Sequence, residues 1–342
     1  MSRLNLLAFI SFLSFFLENP KINFSIKSPI SSHISNILIE EVCSMKKKNF
    51  ILFNNQKSGN RENKEKTINE IINLFKKNNI QIEIFNSQYP RHIEEHIKNC
   101  DLENIDGIIG LGGDGTFNEM INGLHRREKK SNIPVGLIPL GTGNDFIRSL
   151  GPINPFFWAK KIVDGKTQKI DVIKIETKER ELFGQLLIGW GVFHDAALAS
   201  EKYRFFGPFK YTLGSLEALL RSKLRTSTIK FNDQEFKGQF WGALICNTKF
   251  IGGGLLMARD AKINDGLFEF FIIKNISRFL LIILFIQLAL KIPLSPKLVS
   301  LYKLEKVEIN PEILESINID GEIIGESNFK AKILPQSYNL FS

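Results

Sequence analysis

The feature that most constrains the fold is an apolar strand that runs directly into a glycine-rich turn. Residues 106–111 read DGIIGL, and the overlapping segment 110–124 reads GLGGDGTFNEMINGL. Glycine lets the backbone turn tightly and approach a ligand, and a helix N-terminus offers unpaired amides to an anion. The segment therefore predicts a buried strand, a phosphate-binding turn and a helix that begins near Thr116.

The same strand-to-turn pattern occurs twice more. Residues 135–140 (VGLIPL) lead into GTGND, where Asn144 is expected to cap the next helix. Residues 50–55 (FILFNN) lead into a third polar turn, NNQKSGN at 54–60. Parallel strands bring such turns to one sheet edge, where ligands bind. The three turns together predict a single nucleotide cradle.

The periodicity of the chain divides it into two regions. Strands alternate with amphipathic helices over residues 49–168, whereas strand patterns with few helices between them dominate residues 169–342. We expect an N-terminal α/β domain with a mostly parallel sheet and a C-terminal β-sandwich domain, whose final segment is a candidate to return to the first domain. The apolar run at 279–290 is too short for a membrane span and predicts a buried or interfacial helix.

Charge and cysteine content limit the classes of partner and compartment. The 45 Lys and Arg residues exceed the 36 Asp and Glu residues, which gives a net charge of +9 and favours an anionic partner. The three cysteines have neither disulfide-framework nor zinc-ligand spacing, so a reducing compartment is expected.

The first 44 residues have a different composition from the rest of the chain. An apolar run behind a single arginine is followed by a serine-rich stretch with few acids. Three interpretations stay open: a signal-like anchor, an organelle transit segment, or a translation start at Met45 that places residues 1–44 outside the protein.

The first glycine turn also matches a weaker pattern. Gly110, Gly112 and Gly115 fit the GxGxxG fingerprint of dinucleotide-binding proteins. Asp114 argues against a dehydrogenase, because it places an acid where a pyrophosphate would approach. An acid beside phosphates suits a metal ion or a proton transfer. The sequence also contains no GxxxxGK[ST] motif, which excludes a Walker-type phosphate loop.

These motifs identify a family resemblance that covers about residues 49–342. GGDGTFNE and PLGTGNDF resemble the two signature loops of the diacylglycerol kinase catalytic domain superfamily, and NQKSG is similar to its opening loop. Residues 189–216, which contain SEKYR, resemble the sphingosine and ceramide kinase branch. Residues 252–266 and NIDGE at 318–322 resemble the later family motifs.

The resemblance implies an ATP-dependent lipid kinase with ATP and Mg²⁺ as cofactors, the Mg-ATP lying near Asp114. It also suggests that Arg204 and Lys210 reach from the second domain toward the phosphates. The residues expected around ATP are Asn55, Ser58, Gly59, Ser87, Gly113, Asp114, Gly115, Thr116, Glu119, Gly141, Thr142, Gly143, Asn144, Arg204 and Lys210.

The resemblance also assigns catalytic roles to three acids. Asp320, in the DGE turn, is expected to accept the hydroxyl proton, with Asp114 on the Mg-ATP side. The reverse assignment stays open. Glu322 is expected to orient Asp320 or to bind the ion.

Lipid recognition is assigned to the second region. Asp195 is expected at the lipid head group, but Ala197 stands where sphingosine kinases carry a second acid, which weakens the prediction of a sphingoid base. Phe205, Phe206 and Phe209 flank a glycine and a proline beside cationic residues, a composition that suits either a lipid interface or a core-facing loop.

The function expected from the sequence is phosphorylation of a hydroxyl on a membrane lipid, such as diacylglycerol or a ceramide-like lipid. The protein is expected in the cytoplasm at a peripheral membrane surface, with no nucleic acid partner. Two alternatives stay open: an NAD kinase-like nucleotide kinase and a catalytically inactive lipid-binding protein.

Overall fold

Four parallel strands form one end of the sheet in the order β2-β1-β3-β4. A computed structural model describes residues 47–56 and 61–342, without the side chains of residues 61–63, 204 and 208. The interpretations of residues 1–44 therefore lie outside the described residues. The strands are β1 (Lys48–Asn55), β2 (Ile80–Ser87), β3 (Gly107–Gly112) and β4 (Val135–Pro139).

Helices cover both faces of this parallel sheet. Phe50 and Leu52 of β1 pack in one buried cluster, whereas Ile51 and Phe53 point into another. This alternation follows from the two-residue period of a strand, so both faces are buried as in other parallel sheets. The helices are α1 (Arg61–Lys77), α2 (His92–Asn99), α3 (Asp114–His125), α4 (Asp145–Leu150) and α5 (Pro155–Asp164).

Antiparallel strands form the C-terminal β-sandwich around a second apolar core. That core contains Trp190, Phe268 and Phe270, all fully buried. The strands are β5 (Thr167–Glu176), β6 (Glu181–Gly184), β7 (Leu187–Gly191), β8 (Arg225–Phe231), β9 (Gln234–Cys246), β10 (Phe250–Ile251), β11 (Leu255–Leu256), β12 (Phe268–Lys274), β13 (Val299–Leu304), β14 (Lys306–Pro311), β15 (Ile317–Ile319), β16 (Glu322–Ile324) and β17 (Phe329–Phe341). The predicted fold class is confirmed.

Helical segments interrupt the strands more than the sequence predicts. Helix α6 (Val192–Ser200), a 3₁₀ segment (Glu201–Phe209) and helix α7 (Lys210–Arg221) lie between β7 and β8. Helix α8 (Arg278–Ala289) corresponds to the predicted buried or interfacial helix. The helical segments between β7 and β8 were not predicted, because they lie outside the sandwich core and leave its strand periodicity unchanged. None of the helices within the described ranges is long and apolar enough to cross a bilayer.

The last strand joins the two parts of the sheet. Over most of its length β17 pairs antiparallel with β5 and β14, and Leu340 near its end pairs in parallel with Val135 of β4. The hydrogen-bonded sheet is therefore continuous from the sandwich to the parallel strands, and the start of β4 lies beside the end of β17.

Replacing Leu340 tests this junction. Its side chain is 1% exposed, so Leu340→Ala removes buried methyl groups and is expected to lower the free energy of unfolding by about 2–5 kcal/mol. Urea denaturation measures the change. Lys332→Ala, at an exposed position on the same strand, is the matched control and is expected to stay within about 0.5 kcal/mol of the parent protein. Equal effects of the two substitutions would contradict a buried junction.

Candidate functional site

The two glycine turns that follow β3 and β4 pack backbone against backbone. A Cβ atom on Gly141 would lie 2.5 Å from the Cα of Gly113, closer than real Cβ contacts allow. The amides of Leu140 and Gly141 both donate to the carbonyl oxygen of Gly112, at 2.8 and 3.1 Å. Only residues without side chains fit at this contact, so the predicted convergence of these two turns is confirmed.

Asp114 connects the first turn to the helix that follows the second. Its Oδ2 accepts a hydrogen bond from the amide of Asp145 and its Oδ1 from the amide of Phe146, each at 3.0 Å. The carboxylate thus caps the N-terminus of α4 from another part of the chain. A negatively charged group is favoured there by the helix dipole.

The predicted capping role of Asn144 is wrong. Asn144 occupies the N-cap position, but its φ of 54° is left-handed and its side chain makes no hydrogen bond to the helix amides. Its Nδ2 instead donates to the carbonyl of Gly141 at 2.7 Å. A capping side chain usually requires an extended backbone, so the conformation of the turn leaves the cap to Asp114.

Asp114 and Asp145 form a pair of neighbouring acids. Burial, together with the charge of Asp145, raises the pKa of Asp114 to about 6, and its two amide donors offset this only in part. Burial also raises the pKa of Asp145, despite its hydrogen bond from the Gly253 amide at 2.7 Å. Asp145 is absent from the sequence-predicted site. The sequence signal that could have identified Asp145 as a site residue is its position directly after Asn144 in the second glycine turn.

Asp320 lies at the tip of the hairpin between β15 and β16. Asp320 and Gly321 have φ values of 52° and 95°, so both adopt the left-handed conformation that suits a two-residue hairpin turn. The carboxylate accepts four hydrogen bonds, from the amides of Gln185, Leu186 and Leu187 and from Asn118 Nδ2, at 2.8–3.0 Å. Burial raises the pKa of Asp320 despite these donors.

Glu322 follows the same turn and faces the parallel-sheet region. Its Oε2 lies 3.4 Å from Arg91 Nη2, a contact between residues 231 positions apart. Burial raises the pKa of Glu322, and the positive charge of Arg91 opposes that shift. The hairpin therefore brings two acids of the β-rich region against α3 and against Arg91 at the start of α2.

A cavity of about 730 Å³ opens between these elements. Both glycine turns and the hairpin acids form one part of its lining, which we call the polar end, and apolar side chains of the helical segment and sandwich form another part, which we call the apolar end. Ligand pockets typically enclose 300–1,000 Å³. Representative residues of the apolar end are Val192, Phe193, Leu219, Leu281, Leu284 and Phe285.

Most of the predicted ATP-binding residues that the structure describes line the polar end. Asn55, at the end of β1, donates from Nδ2 to Thr116 Oγ1 at 3.3 Å and so ties the first strand to the first glycine turn. Lys210 reaches the cavity from α7, with its Nζ 3.4 Å from Glu201 Oε1. The predicted residues in the lining are Asn55, Gly113, Asp114, Gly115, Thr116, Gly141, Thr142, Gly143 and Lys210.

Other predicted ATP-binding residues are placed differently. Glu119 accepts a hydrogen bond from the amide of Ile93 at 3.1 Å, at the start of α2, and is not among the described cavity-lining residues. Ser87 is 7% exposed at the end of β2 and is also outside that lining. Ser58, Gly59 and the side chain of Arg204 lie outside the described part of the structure.

Of the predicted lipid-binding residues, none lines the cavity within the described structure. Asp195 is instead hydrogen-bonded to His194, Ser222 and Arg225. Phe205, Phe206 and Phe209 are 103%, 59% and 71% exposed. This exposure excludes the core-facing alternative for the aromatic loop.

Comparison with known proteins identifies the two regions. Residues 49–175 match the diacylglycerol kinase catalytic domain, and residues 187–342 match the YegS C-terminal NAD kinase β-sandwich-like domain. The chain belongs to the diacylglycerol kinase family of lipid kinases. In this lipid kinase the first match contains both glycine turns, and the second contains the hairpin acids.

Proteins similar to this lipid kinase include some named sphingosine kinase and others named diacylglycerol kinase. Sphingosine kinase 1 of Arabidopsis thaliana is 25% identical over 290 residues, which cover 71% of this chain but 60% of that protein. Diacylglycerol kinase of Bacillus subtilis is 29% identical over 238 residues, which cover 67% of this chain and 75% of that protein. The names therefore leave the acceptor lipid open.

Solved structures show the same fold. A diacylglycerol kinase from Bacillus anthracis superposes with a TM-score of 0.71 at 20% sequence identity, covering 87% of this chain and 98% of that chain. At this identity the similarity shows the fold alone.

Substitution of the turn glycines tests the backbone contact. Gly141→Ala places a Cβ against Gly113 and is expected to lower the free energy of unfolding by about 1–3 kcal/mol through overpacking. Gly115→Ala is the matched control, because no atom lies within 4 Å of its added Cβ, and is expected to be neutral or slightly stabilising in a helix. Thermal and urea denaturation measure both variants. If Gly141→Ala proves as stable as Gly115→Ala, the two turns are not in contact.

Proposed function

We propose that the protein transfers the γ-phosphoryl group of ATP to the hydroxyl of a membrane lipid inside this cavity. The observation that carries the proposal is the two-ended character of the cavity. Glycine turns and a helix N-terminus at one end suit phosphates, and the apolar end suits a hydrocarbon chain, whose burial contributes about 0.8 kcal/mol per CH₂. A nucleotide acceptor, as an NAD kinase requires, has no use for the apolar end.

Asp114 is the proposed acceptor of the hydroxyl proton. An ionised carboxylate has about four acceptor positions. Asp320, the base that the sequence predicts, already accepts four hydrogen bonds, whereas Asp114 accepts two. A pKa of about 6 also suits a general base at neutral pH. Asp320 then holds the hairpin against the cavity.

The residues of the polar end also fit Mg²⁺. This ion is usually held by one or two carboxylates together with substrate phosphates. Asp145 Oδ1 is buried without a hydrogen bond and lies 3.5 Å from Arg148 Nε, so Asp145 is the proposed protein ligand. The bound ion would offset negative charge on the phosphates. No cluster of three or more ligating side chains occurs among the described residues, so binding of the ion would depend on the nucleotide.

Exposed apolar side chains support docking to a membrane surface. The 3₁₀ segment packs on α7, and Arg278 of α8 donates from Nη2 to the carbonyl of Ser222 at 2.8 Å, directly after α7. These elements also contribute residues to the cavity lining. We define the apolar rim as their most exposed apolar side chains, Phe205, Phe206, Phe209, Leu220 and Phe279. Insertion of this rim would place the cavity at the level of the lipid head groups.

The activity is tested with the full chain, γ-labelled ATP and Mg²⁺. Candidate lipid acceptors are supplied in vesicles that contain diacylglycerol, monoacylglycerol, a ceramide or undecaprenol. NAD⁺ is assayed in parallel as a nucleotide acceptor. We expect a labelled lipid product. Label in NAD⁺ alone would support a nucleotide kinase, and specific lipid binding without any transfer would support an inactive lipid-binding protein.

Asp114→Asn tests the proposed base. The variant is expected to lower kcat by at least about 10²-fold, because the proton acceptor is lost. In the parent enzyme kcat/KM should fall as the pH falls through about 6, since protonation of Asp114 removes the base. That fall should be absent in the residual activity of the variant.

Asp164→Asn, at an exposed position near the end of α5, is the control for introducing an asparagine and should keep the parent pH profile. Calorimetry measures whether the Asp114→Asn variant still binds ATP. Retained binding means that only the base is lost, and lost binding means that the ATP site itself is disrupted. An unchanged acidic limb in Asp114→Asn would rule out Asp114 as the base.

Phe205→Ser combined with Phe206→Ser tests the apolar rim. Loss of two exposed aromatic side chains is expected to weaken binding to anionic vesicles by at least about tenfold, because each contributes roughly 1.5–3 kcal/mol when buried. Vesicle sedimentation measures the change. Ile153→Ser removes an exposed apolar side chain outside the rim and should leave sedimentation unchanged. Equal binding of the parent and the double variant would exclude the rim as the membrane contact.

A further inference from the structure

Arg91, at the N-cap position of α2, has an uncommon backbone conformation. Its φ of 67° and ψ of 9° place it in the left-handed region, which a residue with a Cβ atom adopts only at a cost in free energy. Such conformations persist where the surrounding structure holds them, and they cluster at functional sites. The contacts of Arg91 therefore indicate what its conformation achieves.

The backbone around Arg91 is held by Glu119 of α3. The carboxylate of Glu119 is buried and accepts a hydrogen bond from the amide of Ile93 at 3.1 Å. Burial raises the pKa of Glu119, and the backbone amides of Arg91 and Ile93 oppose that shift. Helix α3 begins in the first glycine turn, so Glu119 fixes the start of α2 relative to the polar end of the cavity.

The side chain of Arg91 lies between two acids. Its Nη2 is 3.4 Å from Glu322 Oε2, and its Nη1 is 3.6 Å from Glu94 Oε2. Glu94 has a closer cation, because Arg126 Nη1 lies 2.8 Å from its Oε1. Glu322 lines the cavity, whereas Glu94 is not among the described residues of that lining. The contact of Arg91 that bears on the cavity is therefore the one with Glu322.

The stability of the protein does not explain the presence of Arg91. The side chains of Arg91 and Glu322 are 37% and 41% exposed, and ion pairs at such exposure contribute little to the free energy of unfolding. The left-handed backbone of Arg91 opposes folding at the same position. The two effects offset each other, so a role in the site explains Arg91 better than a role in stability.

The same stretch of α3 also holds the other acid of the hairpin between β15 and β16. Asn118, directly before Glu119, donates from Nδ2 to Asp320 Oδ2 at 2.8 Å. Asp320 and Glu322 both line the cavity. The hairpin is thus held at two points, because Asn118 contacts Asp320 directly and Arg91 connects Glu119 with Glu322.

We infer that Arg91 is a positioning residue for phosphoryl transfer, which holds Glu322 of the β-rich region in place at the polar end of the cavity. The inference rests on the proposed lipid kinase activity and adds a residue from outside the glycine turns and the DGE hairpin. Arg91 is not among the described residues that line the cavity, so it acts through Glu322.

Arg91→Gly tests the inference, because it removes the side chain and suits the left-handed backbone. The full chain is assayed with γ-labelled ATP, Mg²⁺ and whichever of the vesicle-borne diacylglycerol, monoacylglycerol, ceramide or undecaprenol gives most product. We expect kcat to fall at least about tenfold, since misplacing a group in a site by 1 Å can cost about 10²-fold in rate. The Tm should equal or exceed that of the parent, because the backbone strain is relieved. A fall in Tm together with kcat would give Arg91 a structural role only.

A double-mutant cycle tests whether Arg91 acts through Glu322. Glu322→Gln is expected to lower kcat by itself. The variant with both substitutions should have the same kcat as Glu322→Gln, because Arg91 then has no acid to position. If the two reductions multiply, Arg91 acts independently of Glu322 and the inference is wrong.

Two further variants serve as controls. Glu94→Gln leaves the contact between Arg91 and Glu322 intact and should keep the parent kcat. Arg91→Lys keeps the positive charge and should retain more activity than Arg91→Gly. A loss in Glu94→Gln equal to that in Arg91→Gly would assign the effect to Glu94, and equal activities of Arg91→Lys and Arg91→Gly would contradict a role based on charge.

The outcomes separate the inference from the activity on which it rests. If the parent protein phosphorylates a lipid and Arg91→Gly keeps the parent kcat, the inference is wrong and the lipid kinase proposal stands. If the parent protein phosphorylates none of the acceptors, the kinase proposal fails and the inference falls with it.

Discussion

The backbone contact between Gly113 and Gly141 is the constraint on which the rest of the site depends. Because no side chain fits between the two turns, the N-termini of α3 and α4 come close enough for Asp114 to cap α4. The half-buried Asp114, the buried Asp145 and the amide-rich ends of two helices thus share one small region. A site built in this way fixes the positions of its polar groups before any ligand binds. Preorganised groups of this kind stabilise charge that develops during a reaction more effectively than groups that must reorient.

The cavity joins this polar region to a set of apolar side chains. The β-rich region contributes the DGE hairpin and the apolar side chains of the cavity, whereas the glycine turns belong to the α/β region. The ion pair of Glu322 with Arg91 is a direct link between them. Because that pair is partly exposed, its energetic contribution is small, and the continuous sheet through β17 is the stronger connection.

Much of the fold could be predicted from the sequence, because strand and helix periodicities are local properties. The strands from β1 to β4 and the convergence of two glycine turns followed from patterns of apolar residues and glycines. Helices α6 and α7, between β7 and β8, were missed, because their residues pack outside the sandwich core and do not disturb its strand pattern. Glu119 and Asn144 were expected at the nucleotide, but Glu119 caps α2 and Asn144 binds its own turn.

The residue types alone determined glycine-rich turns with acids beside them and an α/β region followed by a β-rich one. They determined these features because a glycine turn, an amphipathic helix and an alternating strand each depend on neighbours within a few positions. Only the tertiary structure decided the partners of the acids, since the ion pair of Asp195 with Arg225 and the hydrogen bonds of Asp320 join residues far apart in sequence. Hydrogen bonds and ion pairs act only over short distances, so the partner of an acid follows from the fold and not from its neighbours in the chain.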